Sequence, residues 1–239
     1  LSVLYAVYWL FLRKETFFRF NRFYLIGSVI LSLLMPVFTV LNLSTTGSGK
    51  LYYILDTITV TNNEVMSGYS ENLSLSTVFW IAYLSGVILF SLLFLFRIFQ
   101  LLLLIKRYGI RRDEGFRYVI TEGKYTPFSF FNLIFINSTM TAEDKEKVLV
   151  HERIHASQLH SFDVLFFEFL IIFQWFNPIV WLYKRSIKEV HEFLADEGVL
   201  KKGVEKSSYQ ELLLALTLGV NVTDLTNNFN TTQIKRRFI

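Results

Sequence analysis

The chain contains no cysteine. That excludes a disulfide framework and a thiolate-held metal, so any ion must be held by histidine and carboxylates. Charge is scarce as well: charged residues make up 18% of the 239, against 52% hydrophobic residues and 25 Phe. With a mean hydropathy of +0.40, this is the composition of a membrane protein. The net charge of +4 is modest. No basic–aromatic RNA or DNA motif accompanies it, so the basic excess reads as topology-setting loops, and direct nucleic-acid binding is not expected. No internal repeat appears at any period. The chain opens at Leu1 inside an apolar run with no small-residue cleavage site behind it. That reads as part of a longer protein, not as a signal peptide.

What the sequence does have is a series of apolar runs with basic flanks. Residues 1–12 carry no charge but are too short to cross a bilayer, which takes about 20 residues, and read as the tail of a first span. Arg13, Lys14, Arg19 and Arg22 follow, then a second span at 23–41 that tolerates Pro36 near its end. Residues 42–77 turn polar and acidic, an outside loop with a short strand expected at Leu51–Val60. A third span at 78–105 ends in Lys106, Arg107, Arg111 and Arg112. Both basic clusters mark the cytoplasmic side, so the amino terminus is expected outside and residue 106 onward inside. Arg97, within the third span, either snorkels or faces protein. Short alternating runs at 116–121, 128–131 and 133–137, punctuated by Gly123 and Pro127, read as a small sheet.

The chemistry centres on His151-Glu-Arg-Ile-His155. Four residues apart on a helix, the two imidazoles share one face and can bind one Zn²⁺, while Glu152 can serve as general base for a zinc-activated water. Thr141 with Asp144 resembles the cap that opens this helix, which is expected to run to about His160. The strand residues Phe128, Ser129 and Phe130 precede it and can pair with an extended substrate. The bland reading of the same strand is a sheet that only packs the helix.

A catalytic zinc needs a third ligand and an open position. The H-E-x-x-H-x-x-G-x-x-H form is excluded, because Gln158 and Ser161 stand at its Gly and His positions. His160 lies about half a turn off the ligand face, which suits a group behind the ligands or at the surface. Glu192-Phe-Leu-Ala-Asp196 supplies the other solution: Glu192 as ligand, and Asp196 one turn on to hold a ligand histidine. Glu189, Glu197 and Glu168 compete less well. His191 can stabilise a tetrahedral intermediate or serve as a polar packing group, and Asp163 can cap a helix or hold a ligand histidine.

This ligand set constrains topology. Residues 164–183 are apolar enough for a fourth span, yet a crossing would separate His155 from Glu192. The segment must return to the side it left, as a re-entrant or embedded hairpin broken at Asn177-Pro178.

These residues resemble the BlaR/MecR family of membrane zinc metallopeptidases. The resemblance runs over Arg-Phe-Asn-Arg-Phe at 19–23, Pro-Phe-Ser-Phe-Phe at 127–131, His151 to Asp163, Trp-Phe-Asn-Pro at 175–178, His-Glu-Phe-Leu-Ala-Asp at 191–196 and Asn-Asn-Phe-Asn at 227–230. It implies a mainly α membrane protein. Residues 1–105 form its transmembrane region, and 106–239 a cytoplasmic gluzincin-like α+β zinc protease domain that includes the re-entrant segment 164–183. It implies one catalytic Zn²⁺ on His151, His155 and Glu192, with Glu152 as general base. The expected activity is an endopeptidase in the bacterial cytoplasmic membrane, multi-pass in the lipid bilayer, that cleaves a cytoplasmic repressor in transmembrane signalling. Self-cleavage or a homo-oligomer is compatible with this. No S-x-x-K with K-T-G, the penicillin-binding signature, is present. The alternatives are a quality-control or prenyl-protease-like metalloprotease, and a non-catalytic zinc-bearing transducer, against which the intact Glu152 argues.

Overall fold

The computed structural model describes residues 1–45, 74–113, 115–122 and 126–218. The expected strand at Leu51–Val60, most of the outside loop and the motif at 227–230 lie outside them. The order is α1 (Ser2–Val7, continued by a π-helical turn over Tyr8–Leu12), α2 (Phe18–Thr45), α3 (Leu75–Tyr108), β1 (Arg111–Asp113), β2 (Phe116–Thr121), β3 (Phe128–Phe130), β4 (Leu133–Asn137), α4 (Ala142–Ser157), α5 (His160–Phe173), α6 (Pro178–Lys201) and α7 (Lys206–Leu218).

Among the described residues two helices are long and apolar enough to cross a membrane: Phe18–Phe38 of α2 and the whole of α3. The 34 residues of α3 span about 51 Å, more than the roughly 30 Å of a hydrocarbon core. None of its apolar window is buried, as suits a helix whose solvent is lipid. α2 begins earlier than the expected span, so Arg19 and Arg22 sit on its first turns and not in a loop.

The sheet is mixed, in the order β1-β2-β4-β3. β2 and β4 run parallel, while β3 pairs antiparallel with β4, Phe128 opposite Phe135. Among the described residues β3 is an edge strand. A two-residue turn joins it to β4, with Phe131 at φ 51°. The Phe131 N–H donates to Ser161 Oγ at 2.8 Å, which ties the turn to α5. Arg153 anchors α4 to the sheet by donating from Nε and Nη2 to the Tyr118 hydroxyl at 2.9 and 2.7 Å.

α4 starts as expected: Thr141 Oγ1 accepts from the Asp144 N–H and donates to the Asp144 carboxylate. It stops sooner than expected, at Ser157. Leu159 turns left-handed, with φ 56°, and α5 leaves at 61° to α4. No glycine marks this break, and the continuous-helix arithmetic that put His160 off the ligand face does not apply across it.

α5 and α6 form an antiparallel hairpin. Asp163 meets His191, Glu168 meets Lys184, and the Trp181 indole donates to the Trp175 carbonyl. Asn177 caps α6 by accepting from the Ile179 N–H, with Pro178 in the first helical position, where its missing N–H costs nothing. Residues 164–183 therefore lead away and back.

α6, 24 residues long, is the spine of the fold. Val180, Tyr183, Ile187, Val190 and Leu194 pack with Leu25, Val29, Phe167 and Ile171 in one core. Ala195 and Val199 pack with Val148, Ile154, Tyr209 and Leu212 in a second. Gly198 lets α4 approach closely, since a Cβ there would stand 2.6 Å from Ile154 Cδ1.

Candidate metal centre

The crossing of α4 and α6 brings three donors together. His151 and His155, one turn apart on α4, present Nε2 atoms 3.0 Å from each other. Glu192 reaches in from α6, with its oxygens 3.6 Å from His151 Nε2 and 3.8 Å from His155 Nε2. One ligand atom from each lies within 4.8 Å of the others. Two ligands of a tetrahedral zinc at about 2.05 Å are about 3.3 Å apart, so these separations fit one ion.

The other ring nitrogens are engaged, which leaves the Nε2 atoms for a metal. His151 Nδ1 lies 2.6 Å from the Tyr209 hydroxyl, and that hydroxyl donates to Asp196 Oδ1 at 2.8 Å. Asp196 itself stands 3.4 Å from His151 Nδ1, so it acts on the ring both directly and through Tyr209. His155 Nδ1 lies 2.8 Å from His160 Nδ1, and His160 Nε2 donates to Gln158 Oε1 at 3.2 Å. With His155 Nε2 bare, its Nδ1 carries the proton and donates to His160.

Electrostatics point the same way. Burial opposes a charge on His151, yet Asp196 and Glu192 outweigh it and lift its pKa to about 9. Burial, and then the charge on His151, push His155 down to about 3. The carboxylates thus call for one positive charge between the two rings, where a metal ion would stand in place of the proton. Burial raises the pKa of Glu152, against the opposing effects of His151 and of a Ser129 hydrogen bond.

The site opens on two clefts that flank β3. One, of about 480 Å³, is lined by Phe128, Ser129, Glu152, Val148, Leu212 and Leu216. The other, of about 300 Å³, is lined by Phe128, Ser129, Phe130, Val164, Lys188 and His191. Both include His155 and Glu192, so Phe128 and Ser129 border these two donors in both clefts and Phe130 in the smaller one.

Of the remaining candidates the acidic ones are paired outside the trio, while His191 lines the smaller cleft. Glu189 pairs with Arg13 and Arg185, and Glu197 with Lys201. Glu168 is held by Lys184 at 2.6 Å and by Arg97 of α3 at 3.3 Å, which answers the cost of a carboxylate in an apolar run. His191 is buried, and its Nε2 bonds Asp163 Oδ2 at 2.7 Å. Asp163 also accepts from Arg22. It holds His191, which is no member of the metal trio. Sequence reasoning missed Tyr209, 58 residues from its histidine, because nothing local marks it. It also missed Gln158 and Arg22, although Arg22 lies in a motif that had been singled out.

No curated protein matches the chain. The family model described as BlaR1 peptidase M56 matches residues 133–239, a stretch that runs from β4 through the metal trio and α7. With two helices among the described residues long and apolar enough to cross a bilayer, the chain is a membrane protein that, over residues 133–239, is similar to the BlaR1 peptidase M56 family.

Proposed function

We propose that the chain is a zinc endopeptidase of the cytoplasmic membrane that cuts a cytoplasmic protein, a transcriptional repressor, in transmembrane signalling. The observation that carries this is the convergence of His151, His155 and Glu192 beside a buried Glu152 and an edge strand. Residues 1–105 anchor the chain as a multi-pass unit. Residues 106–239 form the gluzincin-like protease domain, with 164–183 dipping into the membrane face as a hairpin. Arg13, Lys14, Arg19 and Arg22 on one side of α2, and Lys106, Arg107, Arg111 and Arg112 after α3, support a site facing the cytoplasm.

His151, His155 and Glu192 would hold the ion. When bound, zinc supplies Lewis acidity: it polarises a peptide carbonyl and makes an attacking water acidic near neutral pH. The rest falls to the chain. β3 lays an extended peptide along its free edge through main-chain hydrogen bonds, with Phe128, Ser129 and Phe130 turned to the two clefts. The Glu152 carboxylate accepts the proton of the attacking water and returns it to the leaving amine nitrogen. Tyr209 with Asp196, and His160 with Gln158, keep the two imidazoles in the right tautomer and plane.

The test is Glu152→Gln in the full chain, co-expressed with a candidate repressor. The variant should keep one zinc per chain and lose about a hundredfold to ten-thousandfold in cleavage rate. Undiminished cleavage would overturn the mechanism.

A further inference from the structure

The Arg-Phe-Asn-Arg-Phe motif at 19–23 has no part in holding the ion, yet it is where α2 meets the site. Asn21 donates from Nδ2 to the Leu12 and Glu15 carbonyls, at 3.0 and 3.3 Å, and so closes the turn before α2. Arg22 points to the other side. Its Nε donates to Asp163 Oδ2 at 2.6 Å and its Nη2 to the Gln158 carbonyl at 2.9 Å.

Gln158 and Leu159 are the break between α4 and α5. A left-handed leucine is strained and persists only where its surroundings hold it. Arg22 braces it, with one arm of the guanidinium on the Gln158 carbonyl of the break and the other on Asp163 in the first turn of α5. Two legs run from this clamp to the same ring. Gln158 Oε1 accepts from His160 Nε2 at 3.2 Å. Asp163 holds His191, whose ring stacks on His160 with centroids 4.0 Å apart. His160 in turn bonds His155, with the two Nδ1 atoms 2.8 Å apart.

We propose that Arg22 is a positioning residue of the metal centre: by clamping the α4–α5 break to α2 it fixes His160, and His160 fixes the ring plane and tautomer of His155. Because α2 is one of the two membrane-length helices, a shift of α2 is felt at a metal ligand. The site can therefore be tuned from the membrane without any change in the ligands themselves. Lysine cannot replace this arginine in full, since a point charge does not span Asp163 and the Gln158 carbonyl together. The inference rests on reading His155 as a ligand.

The experiment uses the full chain in detergent micelles, with Zn²⁺ affinity measured by chelator competition and the visible bands of Co²⁺-loaded protein as a reporter of ligand geometry. Arg22→Met should bind Zn²⁺ about tenfold more weakly and shift the Co²⁺ bands. Arg22→Lys should fall between it and the wild type. Gln158→Ala keeps the Arg22–Asp163 pair and removes only the acceptor of His160, and it too should shift the bands. Arg13→Met breaks another ion pair to α6, at 3.8 Å from Glu189, and should shift nothing. Unchanged affinity and bands in Arg22→Lys and Gln158→Ala would overturn the proposal, even if Arg22→Met failed to fold. A shift in Arg13→Met as large as that in the Arg22 variants would also overturn it, by showing general loosening. A wild-type chain that takes up neither metal would instead overturn the ligand assignment.

Discussion

Two carboxylates meet α6, and they are treated differently. Glu168, from α5, is answered by permanent cations: Lys184 at 2.6 Å and Arg97 at 3.3 Å. Glu192, on α6 itself, faces two imidazoles whose pKa values are driven apart, one up to about 9 and the other down to about 3. At one end of the helix the charge is closed by the chain. At the other the chain supplies donors for a cation and leaves the place between them to an ion. The first end ties α3 to the hairpin; the second is the end to which we assign the chemistry.

The sharpest way to break this comparison is to remove both carboxylates in turn. Glu192→Ala should weaken zinc binding by more than about a hundredfold, beyond the loss seen for groups behind the ligands, and leave the unfolding transition of the metal-free chain nearly unmoved. Glu168→Ala should do the reverse. It should keep zinc affinity within about threefold and cost about 3 kcal/mol of stability in detergent unfolding, because Lys184 is left half-buried without its partner.

A smaller effect tests the membrane end alone. A Cβ on Gly86 would stand 2.2 Å from the Trp175 indole, so Gly86→Ala should lower stability by about 1–3 kcal/mol through overpacking where α3 meets the hairpin tip. Zinc affinity should not change. At the metal end, Tyr209→Phe removes the hydroxyl between His151 and Asp196 and should weaken zinc binding about tenfold, with melting unchanged once zinc is removed.

The smallest expected effect depends on pH. Burial alone would raise the pKa of Asp163, but the hydrogen bonds from His191 and Arg22 outweigh it and hold the pKa below the ordinary carboxylate value. A depressed folded-state pKa gives stability that is present above the unfolded value, near pH 4, and lost as pH falls through the folded one. Asp163→Asn should therefore melt about 1 kcal/mol less stably than wild type at neutral pH, with the gap closing as the pH drops below about 4. A gap that widens in acid would reverse the sign of this account.

What was readable in the sequence was local. The four-residue spacing of His151 and His155 needs one helix, and α4 provides it. Asn177-Pro178 reads as a helix start because proline suits the first turn, and the chain does fold back there. The apolar runs of α2 and α3 are legible by length and composition. What was not readable depends on contacts across the chain. Leu159 takes a glycine-like conformation without being glycine, and the carbonyl before it accepts from Arg22, 136 positions earlier, so no local signal ended α4 near Ser157. Tyr209 comes between His151 and Asp196 from a helix whose sequence is an ordinary amphipathic run. Glu168 sits in an apolar run, and its partners on α6 and α3 are marked by no local pattern.

The central claim is that one zinc sits between His151, His155 and Glu192. Anomalous diffraction at the zinc edge from the zinc-loaded full chain tests it most directly. The account predicts one peak per chain, about 2.0–2.2 Å from the Nε2 atoms of His151 and His155 and from a Glu192 oxygen. A peak held by His160 or His191, or one that leaves Glu192 uncoordinated, would contradict it.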